Sequence, residues 1–116
     1  MRHRKKRQKL TKTKDQRRAL LRSLISALIL KEKIITTEAK AKKMRPFLEK
    51  VISRAKDNTL ANQRFLLRDF SLKVVNKLMK QIGPRYKDRS GGYSRIFKIN
   101  SRKDDNAKMA IIELLK

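Results

Sequence analysis

The chain has 116 residues, with 34 Lys or Arg against 10 Asp or Glu, a net charge of +24 and 39% hydrophobic residues, enough apolar material for one compact core but not two. With no Cys and a single histidine, His3, it lacks the residues for a thiolate zinc site, an iron–sulfur cluster, a disulfide framework or a Ser–His or Cys–His nucleophile. Self-repulsion at this charge calls for a polyanionic partner, either nucleic acid or an anionic surface.

No apolar run approaches the roughly 20 residues that span a bilayer; residues 19–30 are interrupted by Arg22, Ser23 and Ser26. The basic N-terminus has no uncharged signal-peptide core or small-residue cleavage site, so residue 1 is read as part of the mature protein.

Residues 1–18 form the denser of two poles of charge, with ten Lys or Arg against Asp15 alone. In residues 1–12 the candidates for phosphate contact are Arg2, His3, Arg4, Lys5, Lys6, Arg7, Lys9 and Lys12. Almost nothing apolar accompanies them, so this stretch is expected to be a disordered basic arm that orders on its partner. Thr13-Lys14-Asp15-Gln16 fits a capping box, with Asp15 facing the positive end of the helix it opens. Leu20, Leu21, Leu24, Ile25, Leu28 and Ile29 recur at helical spacing, while Arg17, Arg18 and Arg22 fall mainly on another face and join Lys14 as candidate contacts. The β-branched run Ile34-Ile35-Thr36-Thr37 predicts a brief strand.

A second helix is predicted from Thr37 or a neighbour as N-cap, with Glu38 in its first turn and a stripe of Met44, Phe47, Leu48, Val51, Ile52 and Ala55. Lys40 and Lys43 are further candidate cations on it. Pro46 removes a hydrogen bond and disfavours helix at Arg45, so either a kink or a junction of two segments is expected there, the unbroken stripe favouring the kink. Asp57-Asn58-Thr59 is a turn and cap signal before a short helix within 60–70 that buries Phe65, Leu66 and Phe70. Ser71 caps a helix with a Val74, Val75, Leu78, Met79 and Ile82 face, and Gly83-Pro84 is read as its stop.

Beyond Pro84 the helical period vanishes, and residues 93–99 and 107–115 read as two strands able to pair as a hairpin. The polar link between them carries the candidate cations Arg102 and Lys103. The second strand is apolar on both faces and is therefore expected at the centre of a sheet that also takes Ile34 to Thr37. The fold class is α+β: a helix-rich single domain over residues 13–116, with a small mixed sheet of about three short strands, and the arm as a separate unit. No internal repeat or Gly/Ser linker argues for two domains.

In the second charge pole Arg85, Lys87, Arg89 and Arg95 share thirteen residues with Tyr86, Tyr93 and three glycines. Arginine forks engage phosphates bidentately, tyrosine rings stack on unpaired bases, and Gly91-Gly92 would let backbone amides approach a phosphate. The plain alternative is a turn before a strand, with buried tyrosines. Arg85, Arg89 and Arg95 are stronger candidates than Tyr86 or Tyr93. The spaced glycine and Lys-Ser or Lys-Thr of a nucleotide-hydrolase phosphate loop are absent. The carboxylates sit singly among cations, except Asp104-Asp105, which lack a third ligand nearby in sequence; this excludes a two-metal nuclease pattern. No catalytic residue, metal site, cofactor or small-molecule substrate is indicated. If ten of the 34 cations neutralise phosphates, the logarithmic salt slope of binding is about −7 to −9. A nucleoid-type architectural DNA-binding protein is the alternative, disfavoured because no dimerisation element or apolar wedge in a β-arm is visible.

Several stretches carry a family resemblance: Met-Arg-His-Arg-Lys-Lys at 1–6, Arg18-Ala-Leu-Leu-Arg22, Ile35-Thr-Thr37 followed by Ala39-Lys-Ala-Lys42, Arg45-Pro46, the run from Pro84 through Gly91-Gly92 to Ile96, and Met109-Ala-Ile-Ile-Glu-Leu114. In this order the sequence resembles the bacterial-type large-subunit ribosomal protein seventeen from end to end. The resemblance implies a structural component of the large ribosomal subunit that binds its large rRNA near the exit of the nascent-peptide tunnel. It also implies neighbouring ribosomal proteins as partners, an RNA-penetrating arm, and neither catalysis nor membrane contact. Carried over by position, Arg2, Arg4, Lys5 and Lys6 match the family's arm, Arg18 and Arg22 its first helix, and Arg85, Arg89 and Arg95 its arginine-rich loop. The sequence departs from the family pattern at Arg7, where glycine is common, and at Lys108, where proline usually precedes the last strand. Residues 15–22 and 105–107 look most like cyanobacterial or plastid members, so the expected location is a ribosome in a bacterial cytoplasm or an organelle interior.

Overall fold

The computed structural model describes residues 13–116; the expected arm, with Arg2, His3, Arg4, Lys5, Lys6, Arg7, Lys9 and Lys12, lies outside the described residues. Helix α1 (Lys14–Lys31) opens with both halves of the capping box. Thr13 Oγ1 accepts the Gln16 amide at 3.3 Å and Gln16 Oε1 accepts the Thr13 amide at 3.3 Å. The helix ends at Glu32, a non-glycine residue in the left-handed region (φ 67°, ψ −9°) whose N–H returns to the Leu28 carbonyl at 2.6 Å. That conformation costs roughly 1 kcal/mol for a residue with a Cβ. It turns the chain sharply into β1 (Lys33–Thr37) and aims the Glu32 carbonyl at the Leu114 amide, 3.0 Å away.

Thr37 ends β1 and caps α2 (Glu38–Ala55), its Oγ1 accepting the Lys40 amide at 3.3 Å. The Glu38 amide donates to the Lys108 carbonyl at 2.8 Å, so residue 108 ties the start of α2 to the chain just ahead of the last strand. Helix α2 is one element across Pro46, which removes the two-segment alternative. Pro46 and Lys42 both lie on the exposed side, where water can satisfy the Lys42 carbonyl that proline leaves without a donor. The buried seam is Ala41, Met44, Leu48, Ile52 and Ala55; Phe47 sits off it and is 48% exposed. Thr59 caps α3 (Leu60–Leu67). Leu66 and Phe70 are buried as expected, whereas Phe65, expected in the core, is 40% exposed.

Ser71 caps α4 (Leu72–Lys77), and Val74, Val75, Leu78, Met79 and Ile82 are all buried. Gly83-Pro84 does not stop this helix. The chain continues through a π-helical turn (Leu78–Ile82) into a further α-helical turn, α5 (Gly83–Arg85). In the π turn the Gly83 amide reaches back to the Leu78 carbonyl, so the hydrogen-bond register has already shifted when proline withholds its donor. Gly83 has an ordinary helical φ of −55°. It is required for close approach, because a Cβ there would lie 2.4 Å from the Ala55 carbonyl oxygen at the end of α2.

Strands β2 (Ser94–Ile99) and β3 (Met109–Leu114) form the hairpin, and the sheet order is β1-β3-β2 with β3 central. The sheet is antiparallel throughout rather than mixed. The short polar link forces β2 and β3 into opposite directions, and Glu32 feeds β1 in beside the end of β3, parallel in sense to β2. On the inner face Ile34, Ala110, Ile112, Leu114 and Ile96 pack into the core with α1 and α2. On the outer face the cross-strand rows are Lys33–Glu113–Arg95, Ile35–Ile111–Phe97 and Thr37–Met109–Ile99. Ile35 is 64% exposed there, and Phe97 and Ile99 are also exposed.

Candidate nucleic-acid interface

The second charge pole is knit inward. Arg85 Nη1 and Nη2 donate to Glu32 Oε1 and Oε2 at 2.6 and 3.0 Å, and Lys77 Nζ lies 3.3 Å from Oε2. The Arg85 hydrogen bond, assisted by Lys77 and opposed by partial burial, holds the Glu32 carboxyl down at about 2. The same pairing raises the Arg85 guanidinium above its ordinary value. Tyr86 and Tyr93 are 3% and 1% exposed, their ring centroids 5.1 Å apart. Neither ring therefore has a face to offer an unpaired base, which corrects the stacking expectation: as bulky apolar groups they fill the core, and their hydroxyls are tied to the protein itself. Tyr86 donates to the Leu115 carbonyl, and burial pushes its phenol up. The Tyr93 hydroxyl accepts from Lys56 Nζ at 2.9 Å. Burial raises the Tyr93 phenol, but Lys56 and Ser53 outweigh it and the net shift is downward.

The Gly-Gly turn already holds an anion, one belonging to the protein. Glu49 accepts the Gly92 amide at 2.8 Å and the Tyr93 amide at 3.1 Å, and Ser94 Oγ is 3.5 Å away. The amides expected to approach a phosphate thus cradle a carboxylate from α2; Gly92 supplies the positive φ of 65° that aims them. Arg89 Nε donates to the Gly91 and Gly92 carbonyls at 3.1 and 3.2 Å, and the residue is exposed. Lys56 Nζ also donates to the Arg89 carbonyl. Arg95 belongs to the outer sheet face, where its Nε donates to Glu113 at 2.9 Å and its guanidinium lies 4.9 Å from the Phe97 ring centroid.

Among the other candidates, Arg102 forks onto Asp105 at 3.1 and 3.0 Å, and Lys103 is exposed beside it. That pairing lowers the Asp105 carboxyl and raises Arg102. Lys14 and Arg18 are exposed and Arg17 half-buried on the first turns of α1; Lys40 and Lys43 are half-buried on α2. Arg22 pairs with Asp69 at 3.1 Å. The fold brings Arg18 and Arg22 together with Lys50 and Phe47 along one groove, whose lining does not include Arg85, Arg89 or Arg95.

Sequence reasoning missed a third basic surface in which cations alternate with half-exposed aromatics. Lys50 Nζ sits 5.9 Å from the Phe47 ring centroid. The Arg54 guanidinium stacks 3.7 Å from the Phe65 centroid while donating to Asn62 Oδ1 at 3.1 Å, and Arg68 approaches the same ring at 5.4 Å. The available signal was the spacing of Phe47, Lys50 and Arg54, which shares one helix face. Among the described residues no three His, Cys, Asp or Glu side chains converge on a possible metal position, and no helix is long and apolar enough to cross a membrane.

The sequence matches the family model described as ribosomal protein L17 over residues 20–115. It is 49% identical over 108 residues to the large ribosomal subunit protein bL17 of Carboxydothermus hydrogenoformans, covering 92% of this chain and 96% of that one. It is 47% identical over 116 residues to bL17 of Gemmatimonas aurantiaca, covering 99% and 98%. With bL17 of Zymomonas mobilis it shares 50% identity over 119 aligned positions, covering 99% and 83%. The chain belongs to the ribosomal protein L17 family.

Proposed function

We propose that the protein is a structural constituent of the large subunit of a bacterial-type ribosome, bound to the large-subunit rRNA near the exit of the peptide tunnel. The family is one of structural ribosomal proteins, so the chain is not an enzyme. One observation carries the RNA reading beyond the family name: the fold takes up most of its own carboxylates. Glu32, Glu38, Asp69, Asp105 and Glu113 are each ion-paired, and Glu49 is bonded to the Gly92 and Tyr93 amides. With 34 cations against 10 acids, most of the positive charge can be neutralised only by an external polyanion.

The phosphate contacts we assign are the arm residues Arg2, His3, Arg4, Lys5, Lys6, Arg7, Lys9 and Lys12, continuing onto Lys14, Arg17 and Arg18, with Lys40, Lys43, Arg89 and Lys103 as outlying points. Arg85, Arg95 and Arg102 serve mainly the fold, since each is already matched to a carboxylate. A neighbouring ribosomal protein is assigned to the outer sheet face, whose Ile35–Ile111–Phe97 row is apolar and whose charged row Lys33–Glu113–Arg95 is nearly balanced, a poor surface for phosphate. The architectural DNA-binding alternative is set aside by family membership.

Titration of the full-length protein against folded large-subunit rRNA fragments and duplex DNA at matched salt tests the reading. A preference for folded rRNA with a steep salt slope is expected. A preference for duplex DNA, or purified large subunits that lack the protein, would reverse it.

A further inference from the structure

Between α1 and α2 runs a groove of about 280 Å³, floored by Leu21, Ile25, Val51 and Phe70 and walled by Phe47. Its mouth carries Arg18, Arg22 and Lys50 against one acid, Asp69, which Arg22 already neutralises at 3.1 Å. The wall ring lies off the buried seam of α2 and is 48% exposed, so its face is free to take a ligand. We propose that this groove is a binding site for one unpaired nucleotide of RNA, its base lying against Phe47 over the apolar floor and its flanking phosphates meeting Arg18 and Lys50.

The chemistry selects this occupant. An apolar floor with an aromatic wall suits the π-face of a base, and a rim of cations suits the phosphates on either side of it. A duplex keeps its bases stacked and cannot enter, whereas a bulged or looped nucleotide can. The volume lies at the small end for ligand pockets, which begin near roughly 300 Å³, so it suits one ring system rather than several. An apolar side chain from a protein would leave the cationic rim unmatched. The inference rests on the RNA-binding reading above and adds to its Arg18 two residues that reading does not use, Phe47 and Lys50.

The chain contains no Trp, so Phe47→Trp in the full-length protein places one indole in the groove wall. The probes are a single-stranded oligoadenylate of about 12 nucleotides and an RNA duplex of equal phosphate count, each end-labelled so that anisotropy reports binding wherever it occurs. The oligoadenylate should quench the indole with the same midpoint as its anisotropy, and the duplex should bind without quenching. Phe47→Leu, which keeps the apolar wall but removes the stacking face, and Lys50→Ala should each weaken oligoadenylate binding by about 5- to 100-fold and leave duplex binding nearly unchanged. Anisotropy without quenching, or equal quenching by the duplex, overturns the nucleotide site while sparing the general RNA reading. Quenching by other large-subunit proteins but not by RNA gives the groove to a protein instead. Failure of both RNAs to bind at all sinks both readings.

Discussion

Glu32 is the residue on which α1, the α4–α5 run and the end of β3 converge, and its ionisation should be legible in the acid stability of the protein. The carboxyl is held at about 2 against an ordinary 4.5, a difference that by linkage amounts to at most about 3 kcal/mol. The side chain is 29% exposed, so solvent screening reduces the expected value to about 1–2 kcal/mol. Because the folded-state value is depressed, the contribution is complete above the ordinary value and is lost as pH falls through about 2. Urea unfolding of the full-length protein and of Glu32→Gln, from neutrality down to about pH 2, should show a gap of about 1–2 kcal/mol that narrows below about pH 4.5 and closes near the bottom of the range. Glutamine keeps the side-chain length and the left-handed backbone, so the difference isolates the charge. Arg85→Ala should give a similar loss, and the double variant less than the sum. Parallel stability–pH curves for wild type and Glu32→Gln would refute the assignment.

Other consequences can be checked separately. Gly83→Ala should cost about 2 kcal/mol or more in chemical denaturation, since its Cβ would lie 2.4 Å from the Ala55 carbonyl oxygen and backbone has to move; an effect near zero would mean α2 and α5 can slide apart. Deleting residues 1–12 should leave a cooperatively folding domain with weakened rRNA binding, because the buried cluster lies within the described residues; loss of cooperative unfolding would contradict the division. Exchanging Arg85 and Arg95 for Ala should change the salt slope of rRNA binding by well under the two units expected of two phosphate contacts, and a full two-unit loss would return them to the interface. Ile35→Glu should leave stability within about 0.5 kcal/mol but reduce incorporation into large subunits, measured by mass spectrometry; normal incorporation would exclude the outer sheet face as a protein contact.

Caps and periodic faces made most of the fold readable in advance. Thr13, Thr37, Thr59 and Ser71 all cap as local chemistry dictates, and a strand apolar on both faces is central because both faces meet apolar neighbours. What could not be read were facts created by distant segments. Gly83 looked like a stop because glycine before proline usually ends a helix; its actual role is set by Ala55, which sequence does not place beside it. Phe47 and Phe65 fell on apolar spacing yet lie off the buried seam, since periodicity fixes the angle around a helix only to within part of a turn. The arginine-rich loop had the composition of a phosphate site, but Glu32, Glu49 and Glu113 reach it from 53, 43 and 18 residues away and take up much of its bonding capacity. Composition counts the donors in a segment; only the fold shows which acceptors from elsewhere have claimed them.

The central position of β3 also orders events in time. Strands β1 and β2 do not pair with each other, so neither has a partner until β3 has been made. Thr37 and Met109 are separated by about 70 residues, about 4–14 s of synthesis at roughly 5–20 residues per second. During that interval α1 and α2 can form from their own caps, while the strand edges wait for contacts of high sequence separation, the slow class of folding step. Sheet closure therefore waits for β3, and the Ile35–Ile111–Phe97 face comes into being only with it. A protein neighbour that reads this face will engage chains that have finished folding and pass over those that have not.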